Sequence, residues 1–137
     1  MTHITRTAAA AGALLAAAGL LTAGPARAAS PDNQQGNWLY LTVTRGDART
    51  GVTHGALLLC DPPRGHAHAA QACGELADVQ GDIDRIPAAD VFCPMIFAPV
   101  TTHARGRWNG RSVDFTETYT SVCVMNARTG HVFALDG

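Results

Sequence analysis

The sequence predicts an antiparallel α+β domain, and three observations carry that prediction. Several short stretches alternate apolar and polar residues with the period of two that a half-buried strand requires. Asn109-Gly110 joins two of them and is the preferred dipeptide for a tight two-residue hairpin. One principal helical pattern lies among the strands, without the strand–helix–strand alternation that builds a parallel sheet.

The chain opens on a leader. Arg6 supplies a positive start, Ala8 to Leu21 is apolar, and Ala26-Arg27-Ala28 has the form of an A-x-A cleavage site. The apolar run is too short and too rich in Ala and Gly for a membrane span. We therefore expect a secretory signal peptide over residues 1–28, a single domain over residues 29–137, and an extracellular protein without a membrane partner. Without the leader, 109 of the 137 residues remain, and the loss of Arg6 and Arg27 leaves 8 arginines against 11 acids, a net charge of −3. There is no lysine and no basic patch, so nucleic acid is not an expected partner.

Trp38 to Thr44 alternates, with Leu39, Leu41 and Val43 on one face, and reads as the first strand. Arg45-Gly46-Asp47 begins a polar turn. Its RGD tripeptide matches an adhesion motif, but three residues in a solvated turn carry little information. Val52 to Cys60 is the second strand, and its run Ala56-Leu57-Leu58-Leu59 predicts deeper burial than the first. Asp61-Pro62-Pro63-Arg64-Gly65 breaks it. Leu76, Val79, Ile83 and Ile86 then recur at helical spacing, predicting a helix from Ala69 to about Gln80 and a short turn near Asp82 to Ile86, stopped by Pro87.

Phe92-Cys93-Pro94-Met95-Ile96-Phe97-Ala98-Pro99 follows. Each proline fixes its own φ and pushes the residue before it toward an extended conformation. Two backbone donors are missing, so the segment fits poorly inside a sheet. Phe92, Met95, Ile96 and Phe97 read most simply as core, because apolar residues usually sit inside. The prolines, and the position between helix and hairpin where surface connections run, point instead to a stiff extended loop.

Folding the chain at Asn109-Gly110 pairs Val100–Trp108 with Arg111–Tyr119. Trp108 then faces Arg111, Ala104 faces Phe115, Val100 faces Tyr119 and Arg105 lies across from Asp114. Ser121 to Asn126 carries the last cysteine, Thr129-Gly130 turns the chain, and His131 to Leu135 reads as a final, fifth strand.

Cys60, Cys73, Cys93 and Cys123 in a secreted chain of this size imply two disulfides, with three pairings open. Cys60 and Cys73 bracket the loop between strand and helix, and a bridge closing a loop of that size would contribute about 3 kcal/mol. The cysteines lack C-x-x-C spacing, and His66-Ala67-His68 reads as a pair of solvent-facing loop histidines. No metal or other cofactor is expected. Catalytic signatures are absent as well, and the three serines outside the leader, Ser30, Ser112 and Ser121, show no triad context. An enzyme is not the expected reading.

The strand ending in Cys60, the Cys73-Gly74-Glu75-Leu76 helix start, Cys93-Pro94-Met95-Ile96 and Cys123-Val124-Met125-Asn126 occur in the order found in the Streptomyces subtilisin inhibitor family. From Trp38 to Leu135 the chain resembles that family. The resemblance implies a five-stranded antiparallel sheet with one main helix and a short second helix on one face. It implies disulfides Cys60–Cys73 and Cys93–Cys123, and a homodimer formed through the opposite sheet face. It further implies a substrate-like inhibitor of subtilisin-type serine proteases with Met95–Ile96 as the reactive bond. Phe92, Cys93 and Pro94 would lie on the acyl side, Ile96 and Phe97 on the leaving side.

Some positions depart from the family pattern. Ser121 stands where the family commonly carries an asparagine that braces the loop, and its shorter hydroxyl reaches less far. Ala98 replaces a residue that is often polar, and the Cys60–Cys73 loop is slightly shorter. The rival reading is a secreted binding module that keeps this fold without an inhibitory loop.

Overall fold

The computed structural model describes residues 36–47 and 49–136. The expected leader, the cleavage site and Ser30 lie outside the described residues. Strands β1 (Trp38–Arg45), β2 (Val52–Cys60), β3 (Pro63–Arg64), β4 (Val100–Trp108) and β5 (Arg111–Tyr119) form one antiparallel sheet in the order β3-β2-β1-β4-β5. Among the described residues, two α-helices, α1 (Ala69–Asp78) and α2 (Val122–Thr129), pack with the sheet.

The alternation read in β1 sets the layers. Leu39, Leu41 and Val43 are buried, while Tyr40 on the other face is 44 % exposed. Leu58, Val100, Ala104, Trp108 and Phe115 share the buried face, where they cluster with Ala72, Cys73 and Leu76 of α1, with Met125 of α2, and with Val132 and Phe133 beyond it. Each fully buried Leu contributes roughly 1.5–3 kcal/mol relative to remaining exposed. Phe115 and Phe133 stack with centroids 5.8 Å apart, tying β5 to the C-terminal segment.

The β4–β5 hairpin has the predicted register, including Trp108↔Arg111, Arg105↔Asp114 and Val100↔Tyr119. Asn109 and Gly110 both take positive φ, 48° and 77°, as a type I′ turn demands. The Asp114 carboxylate also lies 3.4 Å from Nε2 of His103.

The run in β2 is not buried more deeply than β1. Only Leu58 is fully covered, and Leu57 is 45 % exposed. The reason is position: beyond β2 the described sheet continues with the two-residue β3, and Leu57, opposite Tyr40, points to the face that neither α1 nor α2 covers.

The expected strand at His131–Leu135 does not form, and the fifth strand is Pro63–Arg64. Residues 131–133 turn instead, with Val132 N–H donating to the Thr129 carbonyl and Ala134 N–H to that of His131. Val132 and Phe133 are consecutive and both buried, a pattern a strand with one open face does not produce.

α1 ends at Asp78, close to the expected boundary, and the turn near Asp82 to Ile86 is a single 3₁₀ turn over Ile83–Arg85. The second helix is therefore α2, built from residues that had suggested only a cysteine-bearing segment and a turn. Ser121 caps it, its Oγ accepting the Val124 N–H at 3.2 Å. Gly130 ends it at φ 57°, and a Cβ there would collide with the Glu75 carboxylate.

Candidate functional site

Residues 87–99 connect the 3₁₀ turn to β4 without regular structure, and every predicted contact residue of the loop lies there. Phe92 is 92 % exposed, Phe97 80 %, Ile96 64 %, and Met95 is fully exposed. The reading of these side chains as core is thus overturned. The two prolines and the turn at Met95 keep this segment out of both the sheet and the helices. Ile96 N–H donates to the Pro94 carbonyl at 2.8 Å, a three-residue turn with Met95 at its apex.

The loop is fixed to the frame at both ends. On the approach, Ala89 N–H donates to the Ala127 carbonyl of α2 at 2.7 Å. Cys93 is bridged to Cys123 of α2, with Cα atoms 5.7 Å apart. Beyond the apex, Ala98 N–H donates to the Thr120 carbonyl at 2.9 Å, and the Pro99 carbonyl accepts Gly46 N–H at 3.2 Å. Helix α2 and the residue leading into it are therefore the platform beneath the loop. The other bridge, Cys60–Cys73, fastens α1 to the end of β2, with Cα atoms 5.5 Å apart. These are the two pairs that the resemblance implies.

Ser121 follows Thr120, whose carbonyl holds Ala98, but its own hydroxyl bond goes to the amide of Val124. That bond fixes the start of the helix that carries Cys123. The fixings at Ala89 and Ala98 use backbone atoms on both sides, so no side-chain type in the sequence announces them.

The loop offers an apolar surface whose one ionisable residue is Asp90. Such a cluster of exposed large apolar side chains on a tethered segment is the mark of an interaction site. Among the described residues, no group of three or more His, Cys, Asp or Glu is arranged to hold a metal ion.

The side chains of His66 and of the RGD turn have partners outside the loop. His66 is half-buried rather than solvent-facing. Its Nε2 lies 3.0 Å from the Val132 carbonyl, and its Nδ1 accepts the His68 N–H at 2.8 Å. Burial lowers its pKa, the Val132 carbonyl pulls the other way, and His68 and His131 add to the lowering. In the turn, Arg45 pairs with Asp136. Asp47 accepts the amides of Arg49 and Thr50, and these bonds, that from Thr50 foremost, hold its carboxyl below the usual value.

Comparison with known proteins agrees with this arrangement. The model of the subtilisin inhibitor-like family matches residues 35–121. A protein of Streptomyces avermitilis, provisionally named a serine protease inhibitor, is 57 % identical over 90 % of this chain and 84 % of its own length. The subtilisin inhibitor of Streptomyces violaceus is 38 % identical over 95 % of this chain and 97 % of its own. Among solved structures, Streptomyces caespitosus sermetstatin, crystallised in complex with Bacillus licheniformis subtilisin, superposes with a TM-score of 0.53 at 28 % identity. That match covers 72 % of this chain and 99 % of sermetstatin. This chain belongs to the subtilisin inhibitor-like family, a family of protease inhibitors and not of enzymes.

Proposed function

We propose that this protein is a secreted, substrate-like inhibitor of subtilisin-type serine proteases, with Met95–Ile96 as the reactive bond. The observation that carries the reading is Met95 fully exposed at the apex of a loop that is fastened on both sides, by Cys93–Cys123 before it and by Ala98 N–H to Thr120 after it.

The protease takes the loop as it would take a substrate. Its serine faces the Met95 carbonyl, and its oxyanion hole receives the carbonyl oxygen. Met95 enters the primary pocket, with Phe92, Cys93 and Pro94 on the acyl side and Ile96 and Phe97 on the leaving side. Attack on the carbonyl is unproductive because the fastened leaving side keeps the Ile96 amine beside the acyl group, so religation competes with release. Little ordering entropy remains to be lost on binding, which allows a standard-size interface to hold tightly. Met95 suits a roomy apolar pocket and lacks the charge that an acidic, trypsin-type pocket requires.

The leader-like residues 1–28, with Arg6, the apolar run and Ala26-Arg27-Ala28, support export, as do two disulfides in one small domain. A homodimer through the open sheet face follows from the same reading. Tyr40 and Leu57 are paired across β1 and β2 on that face and are both about half exposed, the apolar pair that a second copy would cover.

The test is a titration of subtilisin activity with the oxidised protein. Activity should fall linearly and reach zero near one inhibitor chain per protease molecule. Full activity in the presence of excess folded protein contradicts the function and favours a non-inhibitory binding module.

A further inference from the structure

We infer that Glu75, acting through His131, is a positioning residue for the reactive loop, although its hydrogen bonds go to His131 and not to the loop. The inference rests on the reading of Met95–Ile96 as the reactive bond and asks what keeps that bond's surroundings still.

The loop is tied to α2 at Cys123 and Ala127, and to Thr120 just before it. The stiffness of the loop is therefore limited by the stiffness of α2. That helix is short; it buries Met125 and Thr129 and packs Val122, half-buried, against the core, and the Thr129 hydroxyl is turned back to the Met125 carbonyl at 2.8 Å. A helix of eight residues is too short to be stable alone, so what fastens its ends matters.

What fastens its C-terminal end comes from the unit stapled by the other disulfide. Glu75 of α1, two residues after Cys73, accepts the His131 backbone N–H on Oε2 at 2.7 Å and meets the His131 ring Nδ1 with Oε1 at 2.7 Å. One carboxylate thus fixes both the main chain and the side chain of the residue after the helix-ending glycine. His66, inside the Cys60–Cys73 loop, adds a second pin, its Nε2 donating to the Val132 carbonyl. Gly130 leaves room for this approach, since any Cβ there would occupy the carboxylate's place. A chain of physical links therefore runs from Cys60–Cys73 through Glu75 and His131 along α2 to Cys123–Cys93 and the reactive bond. Charge-assisted bonds of this kind to a backbone amide are among the stronger ones available.

The experiment compares wild type, Glu75→Ala, Glu75→Gln and Leu58→Val, the last loosening the core at β2 while leaving the Glu75–His131 bonds in place. Each folded, oxidised protein is incubated with a catalytic amount of subtilisin, and clipping is followed by mass spectrometry. In parallel, amide hydrogen exchange is read at Ala89 and Ala98, whose N–H groups tie the loop to the platform, and at Leu41 in the sheet.

We expect Glu75→Ala to be clipped at least ten-fold faster than wild type and to exchange faster at Ala89 and Ala98, with Leu41 unchanged. Glu75→Gln, which keeps an acceptor for the His131 amide, should recover part of the loss. Leu58→Val, at an equal or lower melting temperature, should be clipped no faster than wild type. Equal clipping of Glu75→Ala and Leu58→Val overturns the positioning role, because general destabilisation then accounts for both. If wild type does not inhibit subtilisin at all, the reading of the reactive bond has failed, and exchange alone decides the clamp. Faster exchange at Ala89 and Ala98 in Glu75→Ala still supports it, and unchanged exchange overturns it.

Discussion

Replacing Cys93 and Cys123 together by serine cuts the covalent tie between the reactive loop and α2 and leaves the first disulfide in place. The bridge joins residues 30 apart in sequence. Chain-entropy reasoning gives about 3.5 kcal/mol of stabilisation for closing a loop of that length in the unfolded chain. In a domain of this size each kcal/mol moves the melting point by about 4–8 °C, so the double variant should melt roughly 14–28 °C below wild type. The functional effect is separate. Without the bridge, the backbone tie to α2 that remains on the acyl side of Met95 among the described residues is the distant Ala89 N–H bond to Ala127, so a protease should cleave the reactive bond and release the halves. Thermal unfolding by circular dichroism measures the first effect, and mass spectrometry of protein incubated with catalytic subtilisin measures the second. A melting point within about 5 °C of wild type together with unaltered resistance to cleavage refutes the reasoning.

Three further outcomes are expected. Ser121→Ala removes the oxygen that caps α2 and should cost about 1 kcal/mol, a drop of roughly 4–8 °C in the melting temperature; an unchanged value shows that the cap contributes nothing. Met95→Arg should redirect inhibition toward trypsin-type enzymes and weaken it against subtilisin, as inhibition constants for the two proteases will show. His66 should make stability depend on pH. Its bond to the His68 amide requires a bare Nδ1, and His68 from its own loop and His131 beyond α2, itself faced by Glu75 of α1, are the titratable groups around it. With its folded pKa below the ordinary 6.5, its contribution is fully present above that pH and is lost as pH falls through the lower folded value. Melting temperatures from pH 7 to 5 should fall more steeply for wild type than for His66→Gln, and parallel slopes contradict this.

The parts of the fold legible in the sequence were those that local chemistry dictates. Asn109-Gly110 needs two positive φ angles, and this fixed the hairpin register residue by residue. Leu39, Leu41 and Val43 alternate because β1 is central and covered on one face. Tertiary surroundings decided the rest. Val122, Cys123 and Val124 suit a strand as well as a helix, and α2 forms because Ser121 caps it and Glu75 holds its end. His131–Leu135 resembles a strand, yet Val132 and Phe133 are both drawn into the core by a turn that Glu75 and His66 stabilise from elsewhere in the chain. At the loop, the prolines and cysteines were visible, whereas the fixings at Ala89 and Ala98 join backbone to backbone and leave no signature.

The central claim is that Met95 carries the inhibition, and one paired titration tests it most directly. Subtilisin is titrated in parallel with the wild-type protein and with Met95→Asp. The apex side chain is fully exposed, so the substitution leaves the fold alone while placing a charge where an apolar pocket must receive it. Stoichiometric inhibition by wild type, with at least a hundred-fold weaker inhibition by the variant (about 2.7 kcal/mol), is the predicted result. Equal inhibition by both proteins contradicts it and places the inhibitory site elsewhere on the surface.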